Sequence, residues 1–75
     1  MNSTTRTYGR TELAQLYSPE LTADAAWRKL KRWIALNRDL TRELQKLGYT
    51  PSQRTFTPKM VEHIFYYLGE PWLSV

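Results

Sequence analysis

The sequence predicts an all-α domain: four short helices in a compact, helix-turn-helix-like arrangement, with room for a very short two-stranded β-ribbon. Three observations predict it. Residues that cap helix starts precede four apolar stretches, at Gly9, Thr22, Asn37 and Thr57. Within those stretches the apolar residues recur three and four positions apart, the spacing of one helix face. Between them stand Ser18-Pro19, Gly48 and Gly69, residue types that stop helices.

Residues 1–5 are polar and read as a flexible tail, so the domain proper spans 6–72. Arg6-Thr7-Tyr8 is extended. Gly9 caps a first helix over 10–17, with Glu12 placed to reach back to the Gly9 N–H and Tyr8 placed over Leu13. Leu13, Leu16 and Tyr17 face the core. Thr22 caps a second helix over 23–36, and Asp24 suits the positive end of its dipole. Ala23, Ala26, Trp27, Leu30, Trp33 and Ile34 fall on one face of this helix. Asn37 caps a third helix over 38–47 that buries Leu40, Leu44 and Leu47, and Gly48 ends it in the left-handed conformation. Residues 49–56 are irregular around Pro51 and have room for two very short strands. Thr57-Pro58 opens a fourth helix whose apolar face is Met60, Val61, Ile64, Phe65 and Leu68. Gly69 closes it, and Pro71-Trp72-Leu73 forms an extended tail. Arg6-Thr7-Tyr8-Gly9 and Arg54-Thr55-Phe56-Thr57 repeat one pattern, so the two segments are candidates to pair as an antiparallel ribbon.

Length and composition bound the rest. Seventy-five residues make one domain with a thin stability margin. The absence of cysteine removes disulfides and thiolate metal sites, so the core rests on aliphatic and aromatic packing. Residues 1–6 lack the apolar stretch of a signal peptide, and no apolar run approaches the ~20 residues of a membrane span. The absence of cysteine fits a cytoplasmic location. The net charge of +4 favours anionic partners, and residues 28–46 carry seven Lys or Arg against Asp39 and Glu43.

The densest of these charges lie in Trp27-Arg28-Lys29-Leu30-Lys31-Arg32-Trp33-Ile34. Arg28, Lys29 and Arg32 project opposite the apolar face, with Ala25, and Lys31 flanks it. A short helix, a turn and a basic amphipathic helix outline a helix-turn-helix, which makes double-stranded DNA the first partner to consider. On this reading Arg28, Lys29 and Arg32 meet phosphates or guanine edges, and the small Ala25 lets the backbone approach the groove. Arg38, Arg42, Lys46 and Arg54 are peripheral phosphate contacts. A module this small binds weakly alone, so a homodimer or a partner protein is expected. The competing reading is a solvated helix surface, since Lys and Arg are good helix formers. Asp39 with Arg42, and Glu43 with Lys46, are ordinary pairs three residues apart.

The other functional class is a protein-interaction module. Tyr66 and Tyr67 lie off or beside the apolar stripe of the fourth helix, and with Trp72 they form a candidate aromatic surface. Trp27 and Trp33 have core spacing rather than base-stacking spacing. His63 is the only histidine and reads as a surface residue. The sequence offers no nucleophile–base pair, metal-ligand set or phosphate loop, so no enzymatic activity, catalytic residue, metal or cofactor is expected.

The chain resembles a family of small proteins, found widely in Bacteroidales and classed as a domain of unknown function. The likeness is carried by Arg6-Thr7-Tyr8-Gly9, Glu12-Leu13-Ala14, Leu16-Tyr17, Ala26, Leu30 and Arg32-Trp33-Ile34. It continues through Leu40, Leu44, Gly48-Tyr49, Phe56-Thr57-Pro58, Val61, Ile64 and Leu68-Gly69-Glu70-Pro71. It covers residues 6–71 and implies no particular chemistry. Glu12-Leu13-Ala14 and Arg32-Trp33-Ile34 are also similar to excisionase-like and other small helix-turn-helix regulators. The turn from Ser18 to Thr22 is longer than the usual 3–4 residues of that motif.

Overall fold

A computed structural model describes residues 6–73; the tail assigned to residues 1–5 lies outside them. The elements run β1 (Tyr8–Gly9), α1 (Arg10–Tyr17), α2 (Ala23–Leu36), α3 (Arg38–Lys46), β2 (Thr55–Phe56) and α4 (Pro58–Leu68), then a 3₁₀ turn (Pro71–Leu73). The domain is thus mostly α, with four helices and one two-stranded sheet. β1 and β2 pair antiparallel, with Tyr8 opposite Phe56 and Gly9 opposite Thr55. The repeated Arg-Thr-aromatic segments therefore meet, and both aromatic residues point into the core.

Each helix begins where a cap satisfies its first free N–H groups. Gly9 has no side chain to offer, so the link is made the other way: its N–H donates to Glu12 Oε1 at 3.1 Å. Thr22 Oγ1 accepts from the Ala25 N–H, Asn37 Oδ1 from Leu40, and Thr57 Oγ1 from Met60. Asn37 also closes α2 through its own N–H to the Trp33 and Ile34 carbonyls, so one residue turns the chain between two helices. The α1–α2 turn is closed by the Leu21 N–H to the Ser18 carbonyl, with Ser18 buried.

The core gathers Tyr8, Leu13, Ala14, Ala26, Trp27, Leu30, Ile34, Leu40, Leu44, Phe56, Met60, Val61, Ile64 and Phe65. Full burial of one such large side chain contributes about 1.5–3 kcal/mol. Phe56 sits at its centre, stacked on Tyr49 at 5.3 Å and tilted against Trp27 at 6.0 Å. A long-range tie joins the ends of α1 and α4: Tyr17 Oη donates to the Gly69 carbonyl at 2.5 Å, while its ring meets Trp33 edge-on at 6.1 Å.

Several expectations need correction. Leu16 is 39% exposed, and Ala14 takes the inward place on α1. An eight-residue helix docked along α2 has room for only a narrow buried stripe. Ala23, in the first turn of α2, is also exposed. α3 ends at Lys46, so Leu47 caps the helix instead of extending its apolar row and is 37% exposed. Residues 49–56 supply one strand, Thr55–Phe56, because the partner comes from the start of the chain. Residues 71–73 wind into a 3₁₀ turn instead of extending, with Trp72 edge-on to Phe65 at 5.3 Å. His63 is half-buried rather than superficial: its Nδ1 lies 3.0 Å from the Lys59 carbonyl and its Nε2 3.8 Å from Glu43 Oε1.

Candidate nucleic-acid interface

α2 positions the basic face because its opposite side is pinned. Ala26, Trp27, Leu30 and Ile34 are buried, which fixes the helix's rotation. Arg28, Lys29 and Arg32 are then carried outward, and all three are exposed. Lys31 is exposed on the flank. Neither the α1–α2 turn nor α3 covers this face. Lys29 Nζ stands 5.1 Å over the Trp33 ring, a contact that holds the ammonium beside the helix rather than neutralising it. Ala25 is half-buried, and its N–H is committed to the Thr22 cap.

Pairing sorts the remaining cations. Arg42 lies 3.8 Å from Asp39, and Lys46 3.3 Å from Glu43. On α4, Lys59 lies 3.3 Å from Glu62. These are exposed or half-exposed pairs of the kind worth at most a few tenths of a kcal/mol, but each offsets a charge. Among the described residues, none of the ion pairs involves Arg28, Lys29, Lys31, Arg32, Arg38 or Arg54. The cations of α2 thus stand outside every ion pair among the described residues, although Asp24 lies one turn before Arg28, while the outer row of α3 is largely self-compensated.

The expected peripheral residues do not form one continuous surface with α2. Arg38 joins it through an open groove, also lined by Trp33 and Leu36. Arg54 belongs to the ribbon, where its carbonyl accepts the Arg10 N–H at 2.8 Å. Arg10 itself was not among the sequence candidates. Its guanidinium lies 5.1 Å over the Trp27 ring, and its charge opposes the rise that burial imposes on the Tyr49 phenol pKa. A signal was available: a cation in the first turn of a helix opposes the helix dipole and so needs a tertiary reason to be there.

The aromatic surface considered for a protein partner is divided. Tyr66 is 81% exposed and meets Tyr67 edge-on at 5.0 Å. The ring partner of Trp72 is Phe65, so Trp72 caps the core with one edge and leaves the other open. Among the described residues no cluster of three or more His, Asp or Glu has the closeness that metal binding requires, and no helix is long and apolar enough to cross a membrane.

Four helices on one core, a ribbon closing the chain across it and one charge-unbalanced helix define a small, mostly α-helical domain. The chain belongs to the family described as a domain of unknown function (DUF4248), whose model matches residues 4–71. No curated protein and no solved structure matches the chain.

Proposed function

We propose that this domain binds double-stranded DNA through the outer face of α2, without enzymatic activity, in the manner of a helix-turn-helix regulator. One observation carries the reading: Arg28, Lys29 and Arg32 are exposed together on a rigidly held helix and lack acidic partners among the described residues. A helix of this kind enters a major groove, where arginine reads guanine edges and lysine meets phosphate. α1 supports α2 from behind, and Arg38 is the nearest further phosphate contact. Arg42 and Lys46 contribute less, because each already has a carboxylate. The proposal includes a cytoplasmic location and a kinship with excisionase-like regulators, for which the support is the match of Glu12-Leu13-Ala14 and Arg32-Trp33-Ile34 to their pattern.

The test is binding to a labelled random-sequence duplex across a salt series. Two phosphate contacts, Lys29 and Arg38, give a log–log slope of about −1.8, from about −0.9 per phosphate, and the slope steepens by about 0.9 for each arginine that meets a phosphate instead of a base. Arg28→Glu/Arg32→Glu removes binding while the thermal melt is kept. Wild-type protein that does not bind at low salt and micromolar concentration refutes the reading.

The exposure of Tyr66 favours one second reading, a protein-binding surface on α4 with Tyr67 and Trp72. Tyr66→Ser/Trp72→Ser removes that function and leaves the DNA isotherm unchanged.

A further inference from the structure

We infer that the groove at the end of α2 is a twofold interface for a second copy of this chain. The groove is open to solvent, has a volume of about 550 Å³ and is lined by Trp33, Leu36, Asn37, Arg38, Asp39 and Leu68. Leu36 ends α2 and is 73% exposed, four residues beyond Arg32 on the same face. A leucine at that place adds nothing to a solvated or phosphate-binding row. Beside it, Trp33 and Leu68 are only half-buried. The patch thus holds an apolar knob and an apolar recess together.

It also holds both signs of charge at adjacent positions. Arg38 has no ion pair among the described residues, and Asp39 meets Arg42 only at 3.8 Å with both side chains exposed. A twofold contact requires a patch that is complementary to itself, with residue i on j and j on i. Here Leu36 of each copy enters the recess of the other, and Arg38 of each meets Asp39 of the other. A partner of a single charge sign would set one of these two residues against its like.

The helix ends add a second attraction. The Tyr17–Gly69 hydrogen bond and the Tyr17–Trp33 contact bring the ends of α1 and α4 to the end of α2. None of these three helices has a basic residue in its last turn. Their carbonyl ends favour a nearby cation, and Arg38 of the second copy supplies it.

Sedimentation equilibrium of the full chain, from about 5 to about 500 µM without DNA, tests this. A reversible monomer–dimer equilibrium with a micromolar constant is expected. Leu36→Glu places two carboxylates in apolar recesses and weakens the dimer at least about hundredfold. Because Leu36 is exposed at a helix end, the variant keeps the wild-type circular dichroism. Arg38→Asp and Asp39→Arg each weaken the dimer about tenfold, and the two together restore it, a rescue that a folding defect cannot produce. Arg38 is shared with the DNA reading, so the two are separated by Arg28→Glu/Arg32→Glu, which removes DNA binding and leaves the dimer intact. A wild-type monomer throughout the range overturns the inference, whatever else the groove accepts. So does a dimer indifferent to Leu36→Glu.

Discussion

Tyr17→Phe isolates the tie between α1 and α4. The substitution keeps the ring that meets Trp33 edge-on and deletes only the hydroxyl that donates to the Gly69 carbonyl. A net intramolecular hydrogen bond is worth about 0.5–1.5 kcal/mol. The bond is solvent-accessible, so water can serve the freed carbonyl, and the cost sits near the middle of that range, about 1 kcal/mol. For a domain of this size that lowers Tm by about 4–8 °C. Tyr17→Ala also removes the half-buried ring and its aromatic contact, raising the loss to about 2–3 kcal/mol. The pH dependence gives an independent check. Burial, and secondarily the Glu70 carboxylate, push the Tyr17 phenol pKa well above its ordinary 10.0. A raised folded-state pKa means the stabilisation is complete below the unfolded-state value and is lost as pH rises toward the folded one. Wild-type stability therefore falls more steeply above pH 10 than that of Tyr17→Phe, and the two curves approach each other. Urea melts followed by tryptophan fluorescence at several alkaline pH values measure both effects. A Tyr17→Phe loss under about 0.3 kcal/mol, together with parallel alkaline limbs, refutes the tie, because that falls below the range of a net hydrogen bond.

Other expectations can be checked with the same melts. Gly69 has φ 87° and ψ 155°, a region that side chains other than hydrogen barely enter, so Gly69→Ala costs about 2 kcal/mol of backbone strain with no steric clash. Gly48→Ala, at φ 88°, costs about 1 kcal/mol, and Gly48→Asn recovers part of it. Phe56→Ala removes the ring stacked on Tyr49 and tilted on Trp27 and costs about 3–5 kcal/mol, a large part of the stability of so small a domain; a variant that melts cooperatively near the wild-type midpoint contradicts this. The hydrogen bond from Arg6, then that from the Gly9 N–H, hold the Glu12 carboxyl below its usual pKa. Its stabilisation is thus present above the unfolded carboxylate value and lost as pH falls through the folded one, so Glu12→Gln flattens the acid limb of the stability curve.

Local chemistry made the helices legible. Gly9, Thr22, Asn37 and Thr57 each stand at a boundary that the structure repeats, because a capping residue acts only on the few N–H groups next to it. The buried face of α2 was readable for the same reason: fourteen residues sample the 3.6-residue period nearly four times. α1 samples it barely twice, and Leu16 and Ala14 exchanged places. The pairing of the two segments rested on a four-residue echo; the register that sets Tyr8 opposite Phe56 came only with the structure, and it buries both aromatics. Contacts between distant polar or exposed groups leave no periodic trace. The Tyr17–Gly69 bond, Arg10 over Trp27 and His63 beside Glu43 belong to this class, and so does the groove between Trp33 and Leu68. The charges of α2 were visible in the sequence, but the sorting of paired from unpaired cations needed the structure.

The ribbon sets the order in which the molecule can come together. Tyr8 meets a residue 48 positions later, and Tyr17 one that is 52 positions later. Both closures span most of the chain, and loops of that length are expensive to close before the core rewards them. During synthesis α1 and α2 leave the ribosome well before α4, yet the Tyr8 and Phe56 rings that complete their core cannot meet until β2 has followed. The helix pair that would carry recognition is therefore not an autonomous cassette. Cut after Gly48, it loses Phe56, Val61 and Ile64 from its packing and should neither fold nor present α2.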